Sequence, residues 1–179
     1  MKTRTFVAAV EDVPGVLNRV ASLFRRRAFN IASLTVGRTE TPGVSRLTVV
    51  VEADEETARR LEANLYKLVN VLEVVELDGP ETLSRELALI KVRAEGAERA
   101  AVVQLADLFR ARVVHVDPAC VVLEITGTRD KVDGLVEVLA PHGILEMTRT
   151  GEVAMPRRTK TREETQWPRS TTTATATSG

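Results

Sequence analysis

Cysteine is almost absent: Cys120 stands alone in 179 residues. That excludes an intramolecular disulfide and favours an intracellular protein. Aromatic residues make up only 3% of the chain, so any core must be aliphatic, built from Val, Leu, Ile and Ala. An excess of charge is missing too, with 25 basic and 25 acidic residues. Such a balance leaves no field to attract nucleic acid, and neither a basic face nor a helix-turn-helix is visible. Outside residues 156–179 the balance is mildly acidic, 20 basic against 23 acidic. No apolar run approaches the roughly 20 residues that span a bilayer. Glu11 and Asp12 interrupt the first apolar run too early for a signal peptide. The expectation is a soluble cytoplasmic protein with no membrane and no nucleic-acid partner. Catalytic signatures are missing as well: there is no G-x-G-x-x-G, no P-loop and no Cys/His metal spacing. His115 and His142 are too isolated to form a metal site. Cys120, beside a run of valines, reads as a small core hydrophobe rather than a nucleophile. The chain itself is expected to hold no catalytic residue, no metal and no cofactor.

What is present is periodicity. Strands are predicted over Thr3–Val10, Asn30–Gly37, Arg46–Glu52 and Val71–Leu77. A helix is predicted over Pro14–Arg27, with Val16, Leu17, Val20, Leu23 and Phe24 on one face. A second helix follows Asp54, a good N-cap, with a stripe of Ala58, Leu61, Leu65 and Leu68. Gly79-Pro80 breaks the pattern, and the order then repeats. Strands are predicted at Leu87–Arg93, Val113–Val116, Val121–Ile125 and Ile144–Thr148. Between them lie helical stripes of Ala101, Val102, Leu105, Leu108 and Phe109, and of Val132, Leu135, Val136 and Leu139.

Three local identities in the same order support duplication. Leu23-Phe24-Arg25 matches Leu108-Phe109-Arg110, Leu61 and Leu65 match Leu135 and Leu139, and Leu72-Glu73 matches Leu145-Glu146. The element order βαββαβ is the ferredoxin-like arrangement. The predicted fold is therefore α+β, with two ferredoxin-like units in tandem over 1–78 and 84–155. A unit of this size has a thin core and gains from docking on another copy. Homodimerisation, or docking of one repeat on the other, is expected. Residues 156–179 lack apolar periodicity and end in Thr, Ala and Ser, so they read as a disordered tail with Trp167 as its one sizeable apolar residue.

Glu11-Asp12-Val13-Pro14-Gly15 reads as a turn at the start of the first helix. A helix N-terminus presents unpaired N–H groups and a positive dipole end, which suit a carboxylate. Gly15 lets a ligand approach the backbone, and Asn30 offers donors and an acceptor. A small zwitterion such as an amino acid fits that chemistry. By the Leu23-Phe24 alignment, Ala100 matches Gly15 and His115 matches Asn30, so the ligand site is expected in the first unit only.

The motif Asp12-x-Pro-Gly-Val16-Leu17, with Leu23-Phe24-Arg25-Arg26-Arg27-Ala28-Phe29-Asn30-Ile31-Ala32-Ser33-Leu34-Thr35-Val36, resembles the regulatory (small) subunit of acetolactate synthase, an ACT-domain family. Further stretches agree: Ser45-Arg46-Leu47-Thr48, Tyr66–Val71, Arg85–Val92 and Arg149-Thr150-Gly151. The resemblance covers about Lys2–Met155. It implies an N-terminal ACT domain that binds valine or another branched-chain amino acid at a dimer interface, and a C-terminal ACT-like domain. It also implies association with a catalytic (large) subunit carrying thiamine diphosphate, Mg and FAD, which the small subunit activates and makes sensitive to feedback inhibition in branched-chain amino-acid biosynthesis. The effector-binding positions it implies are Asp12, Gly15, Val16, Leu17, Asn30 and Ile31. The family often has asparagine at the position of Asp12, and a carboxylate accepts from an ammonium group but cannot donate to a carboxylate. Two other readings compete: a stand-alone amino-acid sensor controlling another enzyme or transcription, and a small enzyme on a ferredoxin-like scaffold.

Overall fold

Hydrophobic periodicity resolves into two helix-backed sheets in the computed structural model, which describes residues 2–77 and 79–158. The first unit runs β1 (Lys2–Glu11), α1 (Val16–Arg26), β2 (Ile31–Arg38), β3 (Val44–Ala53), α2 (Glu55–Tyr66) and β4 (Val71–Leu77). Its antiparallel strands lie in the order β2-β3-β1-β4. Alternation along β1 and β3 sends Phe6, Ala8, Val10, Leu47, Val49 and Val51 toward the helices, where they pack on Val20, Leu23, Phe24, Leu61 and Leu65. Asp54 caps α2 by accepting from the Thr57 N–H at 2.8 Å, and that bond holds its carboxyl below the ordinary value.

The second unit runs β5 (Thr82–Arg93), α3 (Glu98–Leu108), β6 (Arg112–Val116), β7 (Cys120–Gly127), α4 (Arg129–Leu139), β8 (Ile144–Arg149) and β9 (Val153–Pro156). Strand order is β6-β7-β5-β8, and β9 pairs with the first residues of β5. The two units share irregularities as well as elements. The β1–β4 register shifts between Ala9 and Val10, and the β5–β8 register shifts between Lys91 and Val92. Both α1 and α3 have 11 residues. Each is followed by a non-glycine residue in the left-handed region, Ala28 at φ 55° and Arg110 at φ 53°.

That correspondence corrects the sequence alignment of the repeats. Ala28 is matched to Arg110 by these shared features, so Leu23 corresponds to Leu105 and not to Leu108. The identical Leu-Phe-Arg triplets sit three residues out of step, close to one helical turn, which preserves the stripe and hides the slip. Leu23 is 6% exposed and Leu108 is 78% exposed, as expected of unrelated positions. The counterparts of Gly15 and Asn30 are therefore Ala97 and Arg112.

Three further differences concern burial and boundaries. Leu17, read as part of the α1 stripe, is 43% exposed. Strand β5 begins at Thr82, well before Leu87. Pro156, placed in the tail, closes β9 opposite Thr82, and the Arg157 N–H donates to the Glu81 carbonyl at 2.7 Å. The rest of the tail reading, from Thr159 onward, lies outside the described residues.

The face of the first sheet away from its helices is also covered. Thr5, Val7, Ala9, Thr48 and Val50 are buried, although none belongs to the helix-side core. Strand β9 touches β1 and β4 there. The Thr35 hydroxyl donates to the Thr150 carbonyl at 3.2 Å. One repeat thus docks on the other, as the thin core of a single unit requires.

Candidate functional site

The β1–α1 turn opens a cleft of about 230 Å³ lined by Asp12, Gly15, Val16, Leu17, Val36 and Ser45, among others. Gly15 stands at the N-cap with φ 88°, and among the described residues no side chain caps the helix. An L side chain is strained at that φ, so glycine is the residue that permits the turn. The Leu17 and Asn18 N–H groups belong to the first helical turn, where no intrahelical carbonyl can accept from them. Their end of the helix is positive. Val16, Leu17 and Val36 supply apolar wall.

Backbone bonds fix the turn from both sides. The Asp12 N–H donates to the Gly43 carbonyl at 2.8 Å, and the Glu11 N–H to the Asn70 carbonyl at 2.9 Å. The Asn70 side chain donates to the Glu11 carboxylate at 2.6 Å and accepts from the Arg19 guanidinium. Asn70 is only 9% exposed. It is a positioning residue that sequence reasoning passed over, and its one signal was a polar amide between the apolar Val69 and Val71. The Asp12 carboxylate lies 3.5 Å from the Arg38 guanidinium and keeps acceptor capacity toward the cleft mouth.

Of the six expected effector residues, the structure brings Asp12, Gly15, Val16 and Leu17 together. It does not bring Asn30 and Ile31 to them within one chain. Asn30 is exposed just before β2, and Ile31 packs against the first core. The cleft meets β2 at Val36, six residues further along, which at strand rise is about 20 Å away. Leu34 and Val36, on the edge strand β2, which among the described residues pairs with β3 on one side, are 37% and 42% exposed.

In the second unit the turn is built differently. Ala97, the counterpart of Gly15, has φ −68° and ψ −26°, ordinary right-handed backbone. A separate cavity of about 520 Å³ lies between the units, lined by Val36, Arg46, Leu83 and Met155 among others, and holds none of the six residues.

Two family descriptions match the chain: "AHAS small subunit-like ACT domain" over residues 6–73 and "Small subunit of acetolactate synthase" over residues 85–158. The chain is similar to the acetolactate synthase small subunit of Mycobacterium bovis, 47% identical over 156 residues, covering 87% of this chain and 93% of the relative. It is also similar to that of Mycobacterium leprae, 48% identical over 157 residues, covering 88% and 93%. Among solved structures it is similar to the acetolactate synthase small subunit from Thermotoga maritima, with a TM-score of 0.82 and 40% identity, covering 89% of this chain and all of that one.

Proposed function

The chain belongs to the acetolactate synthase small-subunit family, and from that premise we propose that it is a non-catalytic regulatory subunit sensing a branched-chain amino acid, valine above all, in the Gly15 cleft. The observation that carries this reading is the uncapped start of α1 opening onto an apolar wall. The effector's carboxylate meets the Leu17 and Asn18 N–H groups at the positive helix end. Its ammonium meets the Asp12 carboxylate. Its branched side chain lies against Val16, Leu17 and Val36, at about 0.8 kcal/mol per buried methylene.

Asn30 and Ile31 enter this site from a second copy. An unpaired edge such as β2 is a template for strand addition. Antiparallel pairing of β2 with its counterpart sets the start of one strand beside the end of the other. Asn30 of a second copy then stands near Arg38 and Asp12, and Leu34 and Val36 are covered. The effector site is in this reading a property of the homodimer.

The partner is the acetolactate synthase catalytic subunit, which brings thiamine diphosphate, Mg and FAD and performs all the chemistry in the cytoplasm. The small subunit activates it and confers feedback inhibition. Calorimetry with valine, leucine, isoleucine and alanine on the purified chain tests the first half, and valine is expected to bind more tightly than alanine. Reconstitution with the catalytic subunit tests the second. Acetolactate formation that neither rises on adding this chain nor falls on adding valine overturns the reading.

A further inference from the structure

The second unit carries the same backbone scaffold as the Gly15 turn, and one of its own side chains ties together the two loops that frame it. The Ala94 N–H donates to the Ala119 carbonyl at 2.9 Å, as the Asp12 N–H donates to the Gly43 carbonyl at 2.8 Å. Those bonds pair Ala94 with Asp12 and Ala119 with Gly43. On the same alignment Arg99 stands where the first unit has Leu17, a lining residue of the cleft.

The Arg99 guanidinium bridges the two loops that frame the site. Its Nε and Nη2 reach the Ala94 carbonyl at 3.2 and 3.0 Å. Its Nη2 also lies 2.6 Å from the Asp117 carbonyl and 2.8 Å from the Pro118 carbonyl. Ala94 belongs to the β5–α3 turn, and Asp117 and Pro118 to the β6–β7 hairpin. No carboxylate pairs with Arg99 among the described residues. Its charge is met by three converging carbonyl dipoles, an arrangement that accepts a cation and rejects an anion.

We propose that Arg99 is a built-in occupant of a cation site in the C-terminal unit, and that removing its side chain exposes a site for guanidinium or a small alkylammonium ion. The two halves of the duplication have therefore diverged at this position as well as at Gly15 and Ala97. Leu17 leaves the first cleft open to an external ligand, and Arg99 closes the second with an internal one. The carbonyl site itself stands on the Arg99 geometry alone and does not depend on the effector reading of the first unit.

Chemical rescue of the full-length chain tests this. Guanidinium chloride in the low millimolar range is added to wild type and to Arg99→Ala, against sodium chloride at equal ionic strength. Thermal unfolding follows stability, and calorimetry follows binding. At ten times its dissociation constant, guanidinium should raise the Arg99→Ala melting temperature by about 3–6 °C, and should not raise that of wild type. One guanidinium should bind the variant. Absence of binding to the folded variant, or an equal response from wild type, overturns the proposal.

A second measurement does not depend on the fold of Arg99→Ala. In wild type the Arg99 Nε–H, assigned by its loss in Arg99→Lys, should exchange with water far more slowly than that of Arg25, which is exposed. Equal exchange rates would mean that Arg99 is not held. Valine binding to the first unit is measured in the same samples, so failure of the effector reading leaves a signature distinct from failure of this one.

Discussion

The Arg46 guanidinium donates to the Ala154 carbonyl across 3.0 Å, and this bond joins the middle of the first sheet to the last strand of the second unit. Burial pulls the Arg46 pKa down while Glu40 and Glu73 act to raise it, and an arginine stays charged at neutral pH regardless. Ala154, 5% exposed, lies over the face that an isolated ferredoxin-like sheet leaves bare. Strand β9 is thus part of the first unit's packing although it belongs to the second unit's sheet.

Truncation should therefore be sharply position-dependent. A chain ending at Arg158 retains every contact described above and should unfold at the same denaturant midpoint as the full chain. A chain ending at Gly151 loses β9 and with it the cover over β1 and β4, where Val7 and Ala9 are buried. The expected loss is on the order of 3 kcal/mol, read from urea unfolding. Equal midpoints for the two truncations would mean that β9 contributes no cover.

Gly15 separates backbone strain from ligand blockade. A Cβ at Gly15 meets nothing within 4 Å, yet φ is 88°. Gly15→Ala should then cost about 1–2 kcal/mol of stability through strain alone. Gly15→Asn should cost less, since asparagine tolerates the left-handed region, but its side chain still intrudes on the cleft. Gly15→Asp adds a negative charge beside the effector's carboxylate site. Valine affinity should fall in all three and most in Gly15→Asp, by calorimetry. A full-affinity Gly15→Asp variant would move the effector elsewhere.

Asp117 should mark an acid limb in the stability profile. The Cys120 thiol and the Ala119 and Cys120 N–H groups donate to its carboxylate, holding its pKa at about 2 against an ordinary 3.8. A depressed carboxylate stabilises the fold above its unfolded-state pKa. That contribution fades as pH falls from 3.8 toward about 2. Asp117→Asn should flatten the stability–pH curve in that window. The same bond pushes the Cys120 thiol up, so Asp117→Asn should also shift the thiolate absorbance titration to lower pH. An unchanged titration would mean that the thiol does not donate to Asp117.

Much of this architecture was legible because local rules and tertiary packing agree. The Asp54 cap, the β4 limits at Val71 and Leu77, and the Leu61/Leu65 to Leu135/Leu139 match all follow from side-chain chemistry that packing then reinforces. The misread parts share a cause. A helix repeats itself nearly every turn, so an identical Leu-Phe-Arg triplet one turn out of step mimics homology, and the left-handed Ala28 and Arg110 fix the frame instead. Val153–Pro156 is too short to show alternation, and its pairing with β5 is a long-range event. The four turn residues of the expected site were legible as a contiguous motif, whereas the position of Asn30 depends on where β2 begins. The Gly15 cleft meets β2 at Val36, whereas Asn30 precedes the start of that strand.

That separation yields the most discriminating prediction. If Gly15 of one chain and Asn30 of another form each site, a symmetric dimer carries two such composite sites. Gly15→Asp and Asn30→Ala should each weaken valine binding in their own homodimers, the second by roughly 1–3 kcal/mol for a lost polar partner. Unfolding and refolding the two variants together makes mixed dimers. In a mixed dimer one site carries both lesions, and the other pairs an intact Gly15 with an intact Asn30. With random assortment, about a quarter of all sites should regain wild-type affinity, because a two-fold interface makes both sites equivalent. If instead the site lies within one chain, every chain in the mixture is damaged and no wild-type sites return. Valine titration of the co-refolded mixture, against the two variants refolded separately and then combined, reads the difference directly. Tight sites in the first sample alone place the effector between chains, and their absence from both refutes the two-chain site.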